Sequence, residues 1–322
     1  MSTVTSRRAM LAGVSALTLL PATGWTQEAL KIVYAFSAGN AGDTVARLIA
    51  DRLQRDLHRA AIVENKPGAG GRIGARAVKD ATADGSVLLF AVSSQLALQP
   101  HLFSDVGYDP FTDFAPVSQV MAFDQAVAVP AGSSIRSIHE LVAWYKANPE
   151  QAIFGSPGNG THPHVVALEF SRLFRVKLQH VAYRGTAAAL PDLLAGRIPA
   201  FFSASAELIE QHVSGTLRIL ATGGTQRLSI LPGVPTFKES GADIYATGWY
   251  GLYVPARTPS EVVKSLEKEI VAVVRDPQLS ARVQAMGFRP TGTTAGELRQ
   301  IQRAEFDHWA GVVAASGLKV GQ

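Results

Sequence analysis

Short apolar runs alternate along the chain with stretches in which apolar residues return every three or four positions. Leu30 to Phe36 reads as a first strand, and Val45, Leu48, Ile49, Leu53 and Leu57 then fall on one face of a helix. Ala61 to Glu64, Val87 to Val92, Gln125 to Val129, Ala152 to Gly155, Gln179 to Tyr183, Ala200 to Phe202 and Leu217 to Thr222 continue the strand series. This alternation predicts an α/β fold with parallel sheets. Capping boxes mark helix starts at Ser137 to Glu140, at Thr258 to Glu261 with Pro259 as the first helical residue, and at Thr294 to Glu297. In each, a hydroxyl and a carboxylate three residues on satisfy each other's orphan amides.

The start of the chain breaks the pattern. Met1 to Arg8 carries Arg7 and Arg8 with no acid, Ala9 to Leu20 is nearly all apolar, and Pro21 to Gly24 is small and helix-breaking. The apolar run falls short of the roughly 20 residues that span a bilayer, so residues 1–26 read as a cleaved export signal and not an anchor. Ser6-Arg7-Arg8-Ala9-Met10-Leu11 resembles a twin-arginine signal with Met10 where Phe is usual, which leaves the twin-arginine and general export routes both open. The expected compartment is the periplasm.

Hydrophobic residues make up 47% of the chain and charged residues 17%, so a sizeable core is expected. The net charge of +4 includes Arg7 and Arg8, which leave with the signal. No run of Lys and Arg exists and aromatics do not interleave with basic residues, which argues against a nucleic-acid partner. With no cysteine, the exported protein must be held by its core alone.

Candidate chemistry lies in loops. Phe36 to Asp43 ends the first strand in small residues and opens a helix, with Asp43 expected at the N-cap. Ser156, Gly158, Asn159, Gly160 and Thr161 precede a helix around His164 to Phe174. Small residues let backbone approach a ligand and helix N-termini favour anions, so both loops suit one acid held from two sides. Enzyme patterns are weaker. Phe154 to Gly158 lacks the first Gly of a nucleophile elbow, Asn65 to Gly74 fails the dinucleotide fingerprint at Ile73, and no Walker lysine follows either Gly cluster. His162-Pro163-His164 has no further metal ligand at a useful spacing, so no metal and no cofactor are expected.

Several ordered motifs carry a resemblance. They are Phe36 to Asn40 with Asp43 and Arg47, Val63-Glu64-Asn65-Lys66-Pro67-Gly68-Ala69-Gly70-Gly71, Asp84-Gly85, and Gly155 to Thr161 with His164. His180 to Gly185, Arg227 with Leu231 to Thr236, and Trp249-Tyr250-Gly251-Leu252 leading to Pro255 and Thr258-Pro259 complete the set. From about Lys31 to Leu318 the chain resembles the extracytoplasmic solute receptors of tripartite tricarboxylate transporters, the Bug proteins. The resemblance implies a periplasmic binding protein fold, type II-like, with two α/β lobes and a ligand cleft between them: residues 27–127 plus 251–322, and residues 128–250. It implies a monomeric receptor that binds a small organic carboxylate and delivers it to large and small membrane subunits without catalysis. A sensor of the same fold, or a hydrolase built on Ser156 and His164, are the alternatives. Ligand contacts are expected from Ala38, Gly39, Asn40, Asp43, Ser93, Ser94, Ser156, Asn159, Gly160, Thr161, His162, Tyr183, Gly185, Ala187 and Ser203. Asn40 stands where the family usually has a second Gly, Ser203 where an acid or amide is common, and His162 adds an imidazole.

Overall fold

Apolar runs become strands where a neighbouring strand covers their backbone, and the long central runs here find neighbours on both sides. The computed structural model describes residues 29–316, so the signal expected over residues 1–26 lies outside the described residues. The strands are β1 (Leu30–Tyr34), β2 (Ala61–Asn65), β3 (Val87–Val92), β4 (Phe114–Pro130), β5 (Ile153–Ser156), β6 (Gln179–Ala182), β7 (Phe201–Ala204), β8 (Leu217–Thr222), β9 (Thr247–Pro255) and β10 (Arg289–Pro290). The helices are α1 (Ala41–Leu57), α2 (Arg72–Lys79), α3 (Gln99–Leu102), α4 (Ile138–Ala147), α5 (His162–Phe174), α6 (Thr186–Leu194), α7 (Ile209–Val213), α8 (Ser260–Arg275), α9 (Pro277–Ala285) and α10 (Ala295–Ser316).

The strands run in the order β2-β1-β3-β9-β4-β7-β5-β6, with β8 and β10 also paired to β4. β1 is parallel to β2 and β3, and β5 is parallel to β6 and β7. β9 is antiparallel to β3 and β4, and β4 is antiparallel to β7 and β8. The sheets are therefore mixed, which corrects the expectation of parallel sheets. Sequence pattern finds only the Gln125–Val129 part of β4 and no strand at β9. Both are nearly continuous buried runs, without the polar alternation that marks a half-exposed strand.

β4 gives the fold its plan. From Phe114 to Asp124 it pairs with β9, and from Gln125 onward with β7 and β8. Pro116, which cannot donate to a ladder, sits where the β4–β9 register shifts. Around the first stretch pack Val45, Ile49 and Leu53 of α1 with Ile32, Leu88, Phe90, Leu252 and Ile270. Around the second pack Val127, Val129, Leu141, Phe154, Phe170, Phe202 and Phe237. Where β4 changes partners, Asp124 is buried and pairs with Arg289 Nη1 at 2.9 Å.

The three capping motifs do not behave alike. Ser137 Oγ accepts from Glu140 N, while Glu140 reaches back one residue further, to Arg136 N. Thr294 and Glu297 satisfy each other's amides at 3.2 and 2.8 Å. The Thr258 box does not form: α8 starts at Ser260, the buried Thr258 hydroxyl has no partner, and Glu261 turns to Lys264. Losing a formed N-cap costs about 1 kcal/mol. Thr294→Ala should thus lower unfolding free energy by about 1 kcal/mol in urea titration, whereas Thr258→Ala should leave it nearly unchanged; equal losses would contradict these caps.

Candidate functional site

The β1–α1 loop is held by its own side chains. Asn40, not Asp43, caps α1: its Oδ1 accepts from Asp43 N at 2.8 Å and from the Tyr34 hydroxyl at 3.1 Å. Asp43 lies within the first turn, accepting from Gly39 N at 3.0 Å, Arg47 at 2.9 and 3.1 Å, and Asn65 Nδ2 at 2.8 Å. Burial works against its charge, but Arg47, Asn65 and the Gly39 amide together hold its carboxyl below the usual range. Asp43 therefore braces the loop. Ala38 and Gly39 are exposed at its tip.

The β5–α5 loop is built the same way. Ser156 is fully buried, and its Oγ lies 2.8 Å from His180 Nε2 and 3.2 Å from the Gly158 carbonyl. Gly160 N donates to His164 Nδ1 at 3.1 Å, and Thr161 Oγ1 donates to the Gly158 carbonyl at 2.9 Å. Gly160 has φ +68°, and a side chain there would run into Phe103. His164 and His180 stack with ring centroids 3.9 Å apart. Burial pushes His164 down to about 3, helped by the neighbouring His180, and pushes His180 down to about 4.

His162 follows a separate path. Its Nδ1 meets Ser93 Oγ at 3.1 Å, and its ring stacks on Trp309 at 5.1 Å. Its Nε2 lies 3.1 Å from Glu305 Oε1 without hydrogen-bond alignment. Glu305 also accepts from the indole nitrogens of Trp249 and Trp309. A side chain from the α5 start is thus fixed against α10. His162 and His164, adjacent in sequence, face different partners.

Between these loops lies a small cavity. Of the expected residues, Asn40, Ser94, Thr161, His162, Gly185 and Ser203 line it, together with Tyr34, Phe123, Gln125, Thr186, Glu207 and Tyr250. Ser93 stands behind His162, Tyr183 bonds Asp192 at 2.8 Å, Ala187 is half-buried on α6, and Asn159 is exposed. Ala38, Gly39, Asp43, Ser156 and Gly160 are likewise outside the lining. The N-termini of α1, α5 and α6 all reach the cavity wall, and neither α5 nor α6 has a side-chain cap. No Lys or Arg lines it among the described residues.

Glu207 is the member that sequence reasoning missed. It follows β7 in a short turn, and its Oε1 lies 3.3 Å from Gly42 N at the start of α1. Burial pushes its carboxyl up to about 7, against the pull of the Gly42 and Ala41 amides and the Thr186 hydroxyl. No motif marks it. Only its place a few residues beyond Phe201-Phe202-Ser203 could have drawn notice.

The family model described as "Tripartite tricarboxylate transporter family receptor" matches residues 45–318. The chain belongs to this receptor family. A UPF0065 protein of Bordetella bronchiseptica is 32% identical over 286 residues, covering 88% of this chain and 84% of the relative. The solved periplasmic binding protein BugD superposes with a TM-score of 0.87 at 28% identity, over 91% of this chain and 99% of BugD. An R. palustris protein solved with adipate gives 0.87 at 26%, over 91% and 98%. The fold is that of the tripartite tricarboxylate receptors, as the motifs from Phe36 to Pro259 implied. Among the described residues, no helix is long and apolar enough to cross a membrane.

The stacked histidines give this receptor a defined acid response. Both rings are neutral when folded, while an unfolded histidine titrates near 6.5. The unfolded chain binds more protons below that value, so stability present above pH 6.5 is lost as pH falls toward about 4 and then 3. Ring-proton NMR should find His164 and His180 still neutral at about pH 5, well below the ordinary histidine range. Midpoints near 6.5 for both rings would contradict their burial.

Proposed function

We propose that the chain is a periplasmic receptor that binds a small organic carboxylate in this cavity and delivers it to the large and small membrane subunits of a tripartite transporter, without catalysis. The signal in residues 1–26 directs export. The expected lobes, residues 27–127 with 251–322 and residues 128–250, meet close to where β4 passes from pairing with β9 to pairing with β7 and β8. The observation that carries this reading is the convergence of helix N-termini on a cavity whose walls, among the described residues, hold no Lys or Arg. Such amides bind anions, and the uncapped α5 and α6 ends are the ones free to do so. The R. palustris relative solved with adipate supports an acid as ligand.

Recognition uses the Ser94 hydroxyl beside those amides, because the Thr161 and Ser203 hydroxyls already bond the Gly158 carbonyl and Thr186. Contacts across the cleft, Ser37 Oγ to the Arg184 carbonyl at 2.6 Å and His162 to Glu305 at 3.1 Å, fit a closed form. The hydrolase alternative loses ground because Ser156 is buried and bonds His180, not His164.

A thermal-shift screen of mature protein against mono-, di- and tricarboxylates should identify a stabilising acid. At a hundredfold excess over the dissociation constant the gain is about 2.7 kcal/mol. Ser94→Ala should then weaken that acid by about tenfold to a hundredfold in calorimetry, the equivalent of one hydrogen bond to a charged group. No shift from any acid would count against the reading.

A further inference from the structure

The carboxylate seated on the α1 N-terminus is the protein's own. Glu207 Oε1 faces the Ala41 and Gly42 amides and the Thr186 hydroxyl, a set of donors that suits the charged carboxylate. Its Oε2 is shut off from solvent and accepts no hydrogen bond in the protein. Gln125 Oε1, on β4 at the same cavity, is equally without a donor. The other ionisable groups that act on Glu207 are Asp43, Tyr34 and Tyr250, and none is a cation. Asp43 is engaged by Arg47. His162 directs its ring nitrogens at Ser93 and Glu305.

A plain dicarboxylate entering this cavity would set a further negative charge against an ionised Glu207 with no side-chain cation to relieve it, or else hold Glu207 in its protonated form, and it brings no donor to Gln125 Oε1. An ammonium group removes both difficulties, since it is positive and carries three donors. We infer that the ligand carries a protonated amine as well as its carboxylate, and that Glu207 is the residue that selects it: the ammonium donates to Glu207 Oε2 and Gln125 Oε1 while the carboxylate lies on the α5 and α6 amides. This inference rests on the carboxylate-receptor reading of the cavity.

Matched acids that differ only in the amine provide the test. Mature protein is titrated by calorimetry with aspartate and succinate, with 2-aminoadipate and adipate, and with 4-aminobutyrate and butyrate. In at least one pair the amino member should bind about tenfold tighter or more, a 1.4 kcal/mol difference. Acetylating that amine should remove the advantage on the unaltered protein, a result that needs no variant to fold. Glu207→Gln keeps the shape and discards the charge. It should melt as a folded protein, lose about tenfold on the amino member, and bind the amine-free member as well as the parent or better. The inference is overturned if amine-free acids bind the parent as tightly as their amino partners, or if the preference survives in a folded Glu207→Gln. Binding by none of these acids, or by any in the wider carboxylate screen, would instead sink the receptor reading and this inference with it.

Discussion

The cavity must manage negative charge without a side-chain cation, and the local structure around it follows from that constraint. Helix N-termini supply the positive potential, so the loops before α1, α5 and α6 must bring backbone close, which small residues permit. Two acids near the α1 start show how closely charge is assigned. Asp43 has Arg47 and Asn65 as partners and stays below the usual carboxylate range despite its burial. Glu207 has amides and one hydroxyl, and burial wins. Glu207 lacks the guanidinium and the Asn65 amide that hold Asp43 charged.

Closure follows from how the strands cross. β4 runs unbroken through the partner change at Asp124–Gln125, and the chain returns at Ala246–Thr247, so residues on either side of the crossing reach the same cavity from different sheets. Asn40, Ser94 and Tyr250 come from the first group, and Thr161, Gly185 and Glu207 from the second. The ties that span them include polar contacts, Ser37 to Arg184, Gly42 to Glu207 and His162 to Ser93, and an apolar patch where Val165 packs on Ala97, Leu98, Leu102 and Trp309. Polar ties of this kind contribute modestly once desolvation is counted.

Much of the fold was legible, because strands such as β1, β3 and β8 are short apolar runs and α1 shows its apolar stripe in sequence. The crossing strands were not: a buried run such as Thr247 to Pro255 has no period to read, and β4 was visible only in its last third. The site was legible as loops but less so as contacts. Asn40, Thr161, Gly185 and Ser203 do line the cavity, while Ser156 and Gly160 sit behind it, because a small polar residue builds a loop as readily as it binds a ligand. Asp43 was read as the cap, yet Asn40, noted only as a departure from the family pattern, caps the helix. Glu207 carried no signal, since its role depends on α1 meeting a turn that lies far away in sequence.

Glu207 also stands out by the balance of its energies. A glutamate normally titrates near 4.5, and this one is pushed to about 7, so the folded state binds the extra proton. Between those values the folded state loses stability as pH rises, the reverse of an ordinary paired carboxylate, and at neutral pH the cost is largely in place. Nothing in the protein offsets it through Oε2, which has no donor. A glutamine of the same shape could keep an acceptor on the α1 amides and avoid the cost. Positions that break local rules without a structural return are expected at functional sites. Glu207 therefore meets the cavity in one of two ways, holding a proton of its own or facing a positively charged group beside it.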